Sequence, residues 1–223
     1  MSVALDGPAG VGNSIFAKKK EKRMNLIYID TGAMYRAMAL FLIRSGVGAY
    51  NSMGISLESQ RAEISLTYEN GEMVVWLNGE DVTGLIRTEE VGNMASKSSV
   101  NADVRKKLVS LQQNMAAEAD VIMDGRDIGT CVLPNADIKV YLTADSFVRA
   151  TRRFEELTAK GIACDIGKIE EDIIERDYRD MHRELNPLKQ AEDAVVVDSS
   201  YMSIEEVVET ISEMIAKKKN GEA

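Results

Sequence analysis

The run Asp6-Gly7-Pro8-Ala9-Gly10-Val11-Gly12-Asn13-Ser14 sets three glycines and a hydroxyl directly behind the apolar segment Val3-Ala4-Leu5. A strand that leads into a glycine-rich turn and a helix start is the layout of a phosphate cradle. Successive backbone N–H groups and the positive end of the helix face the anionic oxygens, and Gly7, Gly10 and Gly12 let the chain approach them closely. One position departs from the G-x-x-x-x-G-K-[ST] pattern: Asn13 stands where lysine is asked for, before the expected Ser14. A neutral, shorter amide places no positive charge between the terminal phosphates. Losing one preorganised electrostatic contact costs about 100- to 1000-fold in rate, so binding and transfer are separate questions. Taken alone, the loop also reads as a glycine-rich turn with no ligand.

Three further groups of polar residues fall where an open α/β sheet binds ligands, at the carboxyl ends of apolar runs. Asp30-Thr31-Gly32 ends the second run and is followed by Tyr35 and Arg36, a ring suited to stacking on a base and a guanidinium suited to a phosphate; a packed tyrosine is the equal alternative. Asp124-Gly125-Arg126-Asp127 ends Val121-Ile122-Met123, and Asp124 is a candidate for water-mediated contact with Mg²⁺. Arg149, Arg152 and Arg153, then Arg176, Arg179, Asp180 and Arg183, recur at near-helical spacing on either side of a break at Gly161 to Gly167. Two such helices form a lid that brings positive charge over polyphosphate and expels water. The acidic neighbours Glu155, Glu156, Glu170, Glu171, Asp172 and Glu175 supply the alternative, ordinary surface ion pairs. Ser96 and Arg105 are unremarkable by themselves, and His182 fits no triad or metal arrangement.

The elements that must carry these groups follow from periodicity. Parallel strands are expected at Val3 to Leu5, Leu26 to Ile29, Val121 to Met123, Ile138 to Leu142 and Ala194 to Val197, with helices over Ser14 to Met24, Ala33 to Arg44, Thr88 to Lys97, Ala102 to Ala119 and Ser146 to Lys160. A final helix starts at the capping box Ser203-Ile204-Glu205-Glu206. Lys19, Lys20 and Lys22 occupy much of the surface of the first helix and leave it weakly anchored; a basic patch for nucleic acid is the sharper alternative. From Ile64 the period changes to two, with Asn70-Gly71 and then Asn78-Gly79 as turns of the kind that holds both central residues at positive φ, so a small antiparallel sheet is inserted. Trp76 within it reads as packing.

At 223 residues the chain suits one α/β domain with an insertion. A formal charge of −9 excludes general nucleic-acid affinity, which needs a basic face, so any anion site has to be locally basic. Cys131 and Cys164 lack metal or redox spacing and read as free structural thiols of a reducing compartment. No stretch approaches 18 uninterrupted apolar residues and the start lacks a signal-peptide layout, so a cytoplasmic location and no membrane partner are expected.

Gly7-Pro8-Ala9-Gly10-Val11-Gly12, Tyr28-Ile29-Asp30-Thr31-Gly32-Ala33-Met34-Tyr35-Arg36, Asp124-Gly125-Arg126-Asp127-Ile128-Gly129-Thr130 and Glu175-Arg176-Asp177-Tyr178-Arg179-Asp180 together resemble the bacterial cytidylate kinases of the nucleoside monophosphate kinase group, over nearly the whole chain. The resemblance implies a P-loop kinase three-layer α/β fold with a five-stranded parallel sheet, a small antiparallel β insert and a helical lid. It divides a single domain into a core of residues 1-54, 92-148 and 190-219, a CMP-binding insert of 55-91, a lid of 149-189 and a tail of 220-223. It implies ATP-dependent phosphorylation of CMP or dCMP by a monomer, with Mg²⁺ held by Ser14 and Asp124; a CMP-binding module with little or no turnover is the alternative. Thr31, Tyr35, Arg36, Ser96, Arg105, Arg126, Asp127, Asp180 and Arg183 match positions that hold the acceptor nucleotide. Gly7 to Ser14 with Arg152, Arg153 and Arg176 match the ATP side, and Asn13, Arg126, Arg179 and Arg183 the transfer itself. The departures gather in one place: Asn13 for lysine, Ile15 for a small hydroxyl residue, and Lys19 and Lys20 for apolar residues.

Overall fold

Val3, Ala4 and Leu5 are wholly buried because β1 (Ser2–Asp6) is the middle strand of a parallel sheet, covered on both faces and paired along both edges. That is why it reads as a continuous apolar run and not as an alternation. The computed structural model describes residues 1–11, 26–69 and 72–221. Within them the chain divides into two units: Met1–Tyr28 with Asp120–Ala223, and Ile29–Ala119. The helix expected over Ser14 to Met24, and with it Gly12, Asn13, Ser14, Ile15, Lys19 and Lys20, lies outside the described residues, as does the turn Asn70-Gly71.

The first unit is built on a five-stranded sheet of order β2-β6-β1-β7-β8, with β2 at Ile27–Asp30, β6 at Val121–Gly125, β7 at Ile138–Thr143 and β8 at Val195–Asp198. The chain passes into the second unit along β2. Register brings the carboxyl ends level: Leu5 lies beside Asp124, and Asp6 beside both Gly125 and Tyr141. The core below that edge joins Val3, Leu5, Ile122, Val140 and Leu142 to Val207, Val208, Ile211 and Ile215 of the last helix, Ile204–Lys219. Ser203 and Glu206 form the capping box expected there. Strands β2 and β8 each start one residue later than the sequence suggested, a difference within the fraying of element ends.

In the second unit, α1 (Thr31–Arg44) starts from Asp30, whose side chain accepts from the Ala33 N–H and so caps the helix. Its buried face of Met34, Ala37, Met38 and Leu42 packs beside α3 (Glu89–Ser98) and the antiparallel sheet. That sheet pairs β3 (Ile64–Glu69) with β4 (Glu72–Leu77) from Ile64↔Leu77 to Glu69↔Glu72, and β4 with β5 (Glu80–Asp81). At the turn between the last two, Asn78 has φ 50° and Gly79 φ 81°, the positive pair that Asn-Gly predicts. Two elements were not anticipated. One is α2 (Ser52–Ser59), capped by Asn51 but built from serines and a glycine of poor helix propensity; it packs beside α4 (Ala102–Glu118). The other, in the first unit, is a single π-helical turn at Ile128–Val132.

Candidate nucleotide site

The glycine turn leaves β1 at Gly7 with no room for a side chain. A Cβ there would lie 2.2 Å from the Leu142 carbonyl oxygen of β7, and Gly10 takes φ +80°. Ala9 is held on both sides of its backbone. Its N–H donates to Asp177 at 3.2 Å and its carbonyl accepts from Arg149 at 2.9 Å, while Arg149 and Asp177 form an ion pair at 2.6 Å. Arg149 lies on α5 (Ser146–Ala159) and Asp177 on α6 (Ile166–His182), so a pair joining these two helices fixes the start of the loop. Gly7, Pro8, Ala9, Gly10 and Val11 are thus placed at the carboxyl edge of the sheet; Gly12, Asn13 and Ser14 are outside the described residues.

At the end of β6, Arg126 donates from Nε to Asp180 at 2.9 Å and from Nη1 to the Gly125 carbonyl at 3.2 Å. Burial works against its charge. Asp180, with Asp124 and Asp177 nearby, more than offsets that and holds the guanidinium's pKa above its ordinary value. Arg183 donates from Nη2 to Asp127 at 3.1 Å and from Nε to the Asn186 carbonyl at 2.7 Å. Arg176 reaches Asp180 at 3.9 Å. Four of the acceptor-side residues named by resemblance, Arg126, Asp127, Asp180 and Arg183, are therefore joined in two partly buried ion pairs.

Beneath them Asp6 accepts from the backbone N–H groups of Ile128 and Gly129, both at 2.7 Å. Burial pushes its carboxyl up to about 6 against the pull of those two bonds; Asp127 adds to the rise and Arg126 opposes it. The residues alone assign Asp6 no role, mark Arg149 as one lid arginine among several, and carry Asp177 only as part of the string from Glu175 to Asp180. The signal for Asp6 was its place as the last residue of a buried central strand.

The second unit holds the other residues that the resemblance names for the acceptor. Thr31 is buried at the start of α1 beside Asp30, whose other oxygen accepts from Arg87 at 2.8 Å. Arg36 donates from Nη1 to the carbonyls of Ile86 and Thr88 at 3.2 and 3.5 Å, and a Cβ at Gly92 of α3 would come within 3.0 Å of its guanidinium. Ser96 lies one turn further along α3. Arg105, from α4, sets its guanidinium 5.8 Å from the centre of the Tyr35 ring and donates to the Ser99 carbonyl at 3.4 Å. Tyr35 is thus a partner for a cation.

The remaining arginines of α5 and α6 go elsewhere. Arg152 donates to the carbonyls of Ser199 and Met202 at 2.6 and 3.1 Å. Arg153 pairs with Glu156, and Arg179 approaches Glu175 at 3.8 Å, both on exposed surface. Among the described residues no group of three or more His, Cys, Asp and Glu could hold a metal, and no helix is long and apolar enough to cross a membrane. A magnesium site of the kind phosphates share needs less: one carboxylate, a hydroxyl and water. Asp124, buried at the end of β6 beside β1, fits that donor set.

A family model described as cytidylate kinase matches residues 3–217. Proteins named cytidylate kinase match the chain at 47% identity in Lactobacillus gasseri (99% of this chain, 96% of that one) and at 47% in Clostridium acetobutylicum (98% and 99%). Among solved structures, a gluconokinase from Sinorhizobium meliloti 1021 shares the fold at TM-score 0.50 and 13% identity over 97% of this chain and 91% of that one. An uncharacterized protein from Eubacterium ventriosum does so at 0.53 and 11%, over 97% and 98%. The architecture is that of the P-loop kinases, with a five-stranded parallel sheet and a three-stranded antiparallel one.

Proposed function

The chain belongs to the cytidylate kinase family, and from that premise we propose that it transfers the γ-phosphoryl group of ATP to CMP or dCMP, giving CDP or dCDP, with its work divided between the groups described above. The observation that carries the division of roles is the Arg126–Asp180 and Arg183–Asp127 pairing at the carboxyl end of β6. Among the described residues Arg126 spends Nε and Nη1 on the protein, which leaves Nη2 to meet the acceptor's α-phosphate. The carboxylates of Asp127 and Asp180 then accept from the cytosine amino group and the sugar hydroxyls. Within the second unit, Arg36 is the residue suited to a phosphate, Thr31, Ser96 and Arg105 are suited to polar contacts, and Tyr35 offers a face to a base.

ATP lies on the glycine turn from Gly7 to Ser14, with Arg152, Arg153, Arg176 and Arg179 on the lid side, residues 149–189. Ser14 and, through water, Asp124 are the residues that would hold Mg²⁺, which would supply neutralising charge for the phosphate oxygens. The protein's own part is to hold donor and acceptor in line and surround the moving charge with fixed dipoles and guanidinium groups; no covalent intermediate is needed. The acceptor and donor substrates are small nucleotides, which suits a cytoplasmic monomer.

Coupled ADP release with CMP, dCMP, UMP and AMP tests the assignment. CMP and dCMP should respond well above the other two, and an equal or absent response to all four overturns it. Asn13 favours a second reading, an acceptor-binding protein with slow turnover. Asn13→Lys should raise kcat by about 100- to 1000-fold with little change in CMP affinity; an unchanged kcat would remove residue 13 from the account.

A further inference from the structure

The first N–H groups of a helical turn have no partner within it. In the turn at Ile128–Val132 the first two of these belong to Ile128 and Gly129. The residue placed to cap them is Asp127, by type and position an ordinary N-cap. Asp127 makes no capping bond to its own turn, and its carboxylate accepts from Arg183 instead. Asp6 takes both N–H groups, from 122 and 123 residues away in the chain.

We propose that Asp6 is a positioning residue for the acceptor site: by capping the turn from the neighbouring strand, it keeps the Asp127 carboxylate aimed at Arg183 and the acceptor nucleotide rather than at its own backbone. The inference rests on the reading that Asp127 holds that nucleotide. Three observations favour it over a role in stability alone. Asp6 sits on the strand with ladders on both edges, so its carboxylate is a fixed point against which a short turn can be set. The turn lies close on that point: a Cβ on Gly129 would come within 3.3 Å of Asp6 Oδ2 and 3.1 Å of the Lys139 stem. Lastly, keeping an ionised carboxylate buried there is costly, and an apolar residue would serve packing better. An asparagine cannot substitute, because its amide oxygen accepts one N–H while its NH₂ opposes the other.

The test is a double-mutant cycle on the full chain, reading KM for CMP and for ATP separately. Asp6→Asn should raise the CMP KM at least about tenfold, the worth of one charged hydrogen bond, and move the ATP KM by less than about threefold. In an Asp127→Asn background the same substitution should add less than about twofold, since the carboxylate to be aimed is gone. Effects that multiply fully, or an ATP KM that rises as much as the CMP KM, overturn the proposal by making Asp6 a general support of the fold. Asp127→Asn alone leaving the CMP KM unchanged would fail the acceptor-site reading itself and take this inference with it. Should Asp6→Asn not fold, judged by circular dichroism, Asp6→Ser enters the same cycle with the same expected pattern.

Discussion

Helices α5 and α6 carry arginines of two physical kinds. At the end facing the sheet, Arg149 has a side chain only 6% exposed and satisfies Asp177 and two backbone carbonyls, those of Ala9 and Ala144. On other faces of the same two helices, Arg153 and Arg179 are 49% and 41% exposed and meet glutamates three or four residues away. The formal chemistry is one guanidinium to one carboxylate in each case. What differs is the medium: a buried partner left alone has no water to turn to, whereas an exposed one does. The contrast teaches that arginine spacing along a helix says nothing about worth, which depends on what each guanidinium reaches across the fold.

The largest effect is expected at Arg149. Arg149→Met fills a similar volume but strands Asp177 and two carbonyls, and should cost about 3–5 kcal/mol. Thermal unfolding should show Tm lower by about 10 °C, at roughly 2–4 °C per kcal/mol for a chain of this size; a fall of a degree or two would mean that water reaches the pair.

A test of intermediate size lies in the pH dependence set by Asp6. Its folded pKa of about 6 stands above the ordinary 3.8. The folded chain thus binds this proton more tightly than the unfolded chain, so the group's contribution to stability declines as pH rises from about 4 to about 6 and is level outside that window. The decline amounts to about 3 kcal/mol, from the two-unit shift. In urea unfolding at pH 4 to 7, wild type should lose that much relative to Asp6→Asn, and parallel curves would show that Asp6 ionises as freely as in water. At the small end, Arg153→Ala should change stability by less than about 1 kcal/mol. A larger loss would place Arg153 with the buried class.

Much of the frame was legible from the residues. Glycines behind an apolar run, alternation around Asn78-Gly79, and Asp30 ahead of a helix are local signals, and local signals survive without tertiary knowledge. The residues named for the acceptor came from resemblance to a family, and the structure pairs Arg126 with Asp180, Arg183 with Asp127 and Arg105 with the Tyr35 ring. What could not be read was long-range. Nothing near Asp6 in the chain says that it caps a turn more than a hundred residues away, and nothing near Arg149 says that it turns inward while Arg153, one turn on, turns outward. The helix Ser52–Ser59 escaped for the opposite reason, its serines and Gly54 giving it poor propensity that packing overrides.

The central strand is made well before either of its neighbours. Residues Ser2–Asp6 precede the strands on either side of them, Val121–Gly125 and Ile138–Thr143, by more than a hundred residues. At roughly 5–20 residues per second, the segment Val3-Ala4-Leu5 waits about 7–30 s for both neighbours to be translated. During that interval a β-prone apolar stretch has no native pairing to enter. Folding of this unit is therefore a late event, governed by distant contacts, and Val3-Ala4-Leu5 is open to capture by chaperones until then.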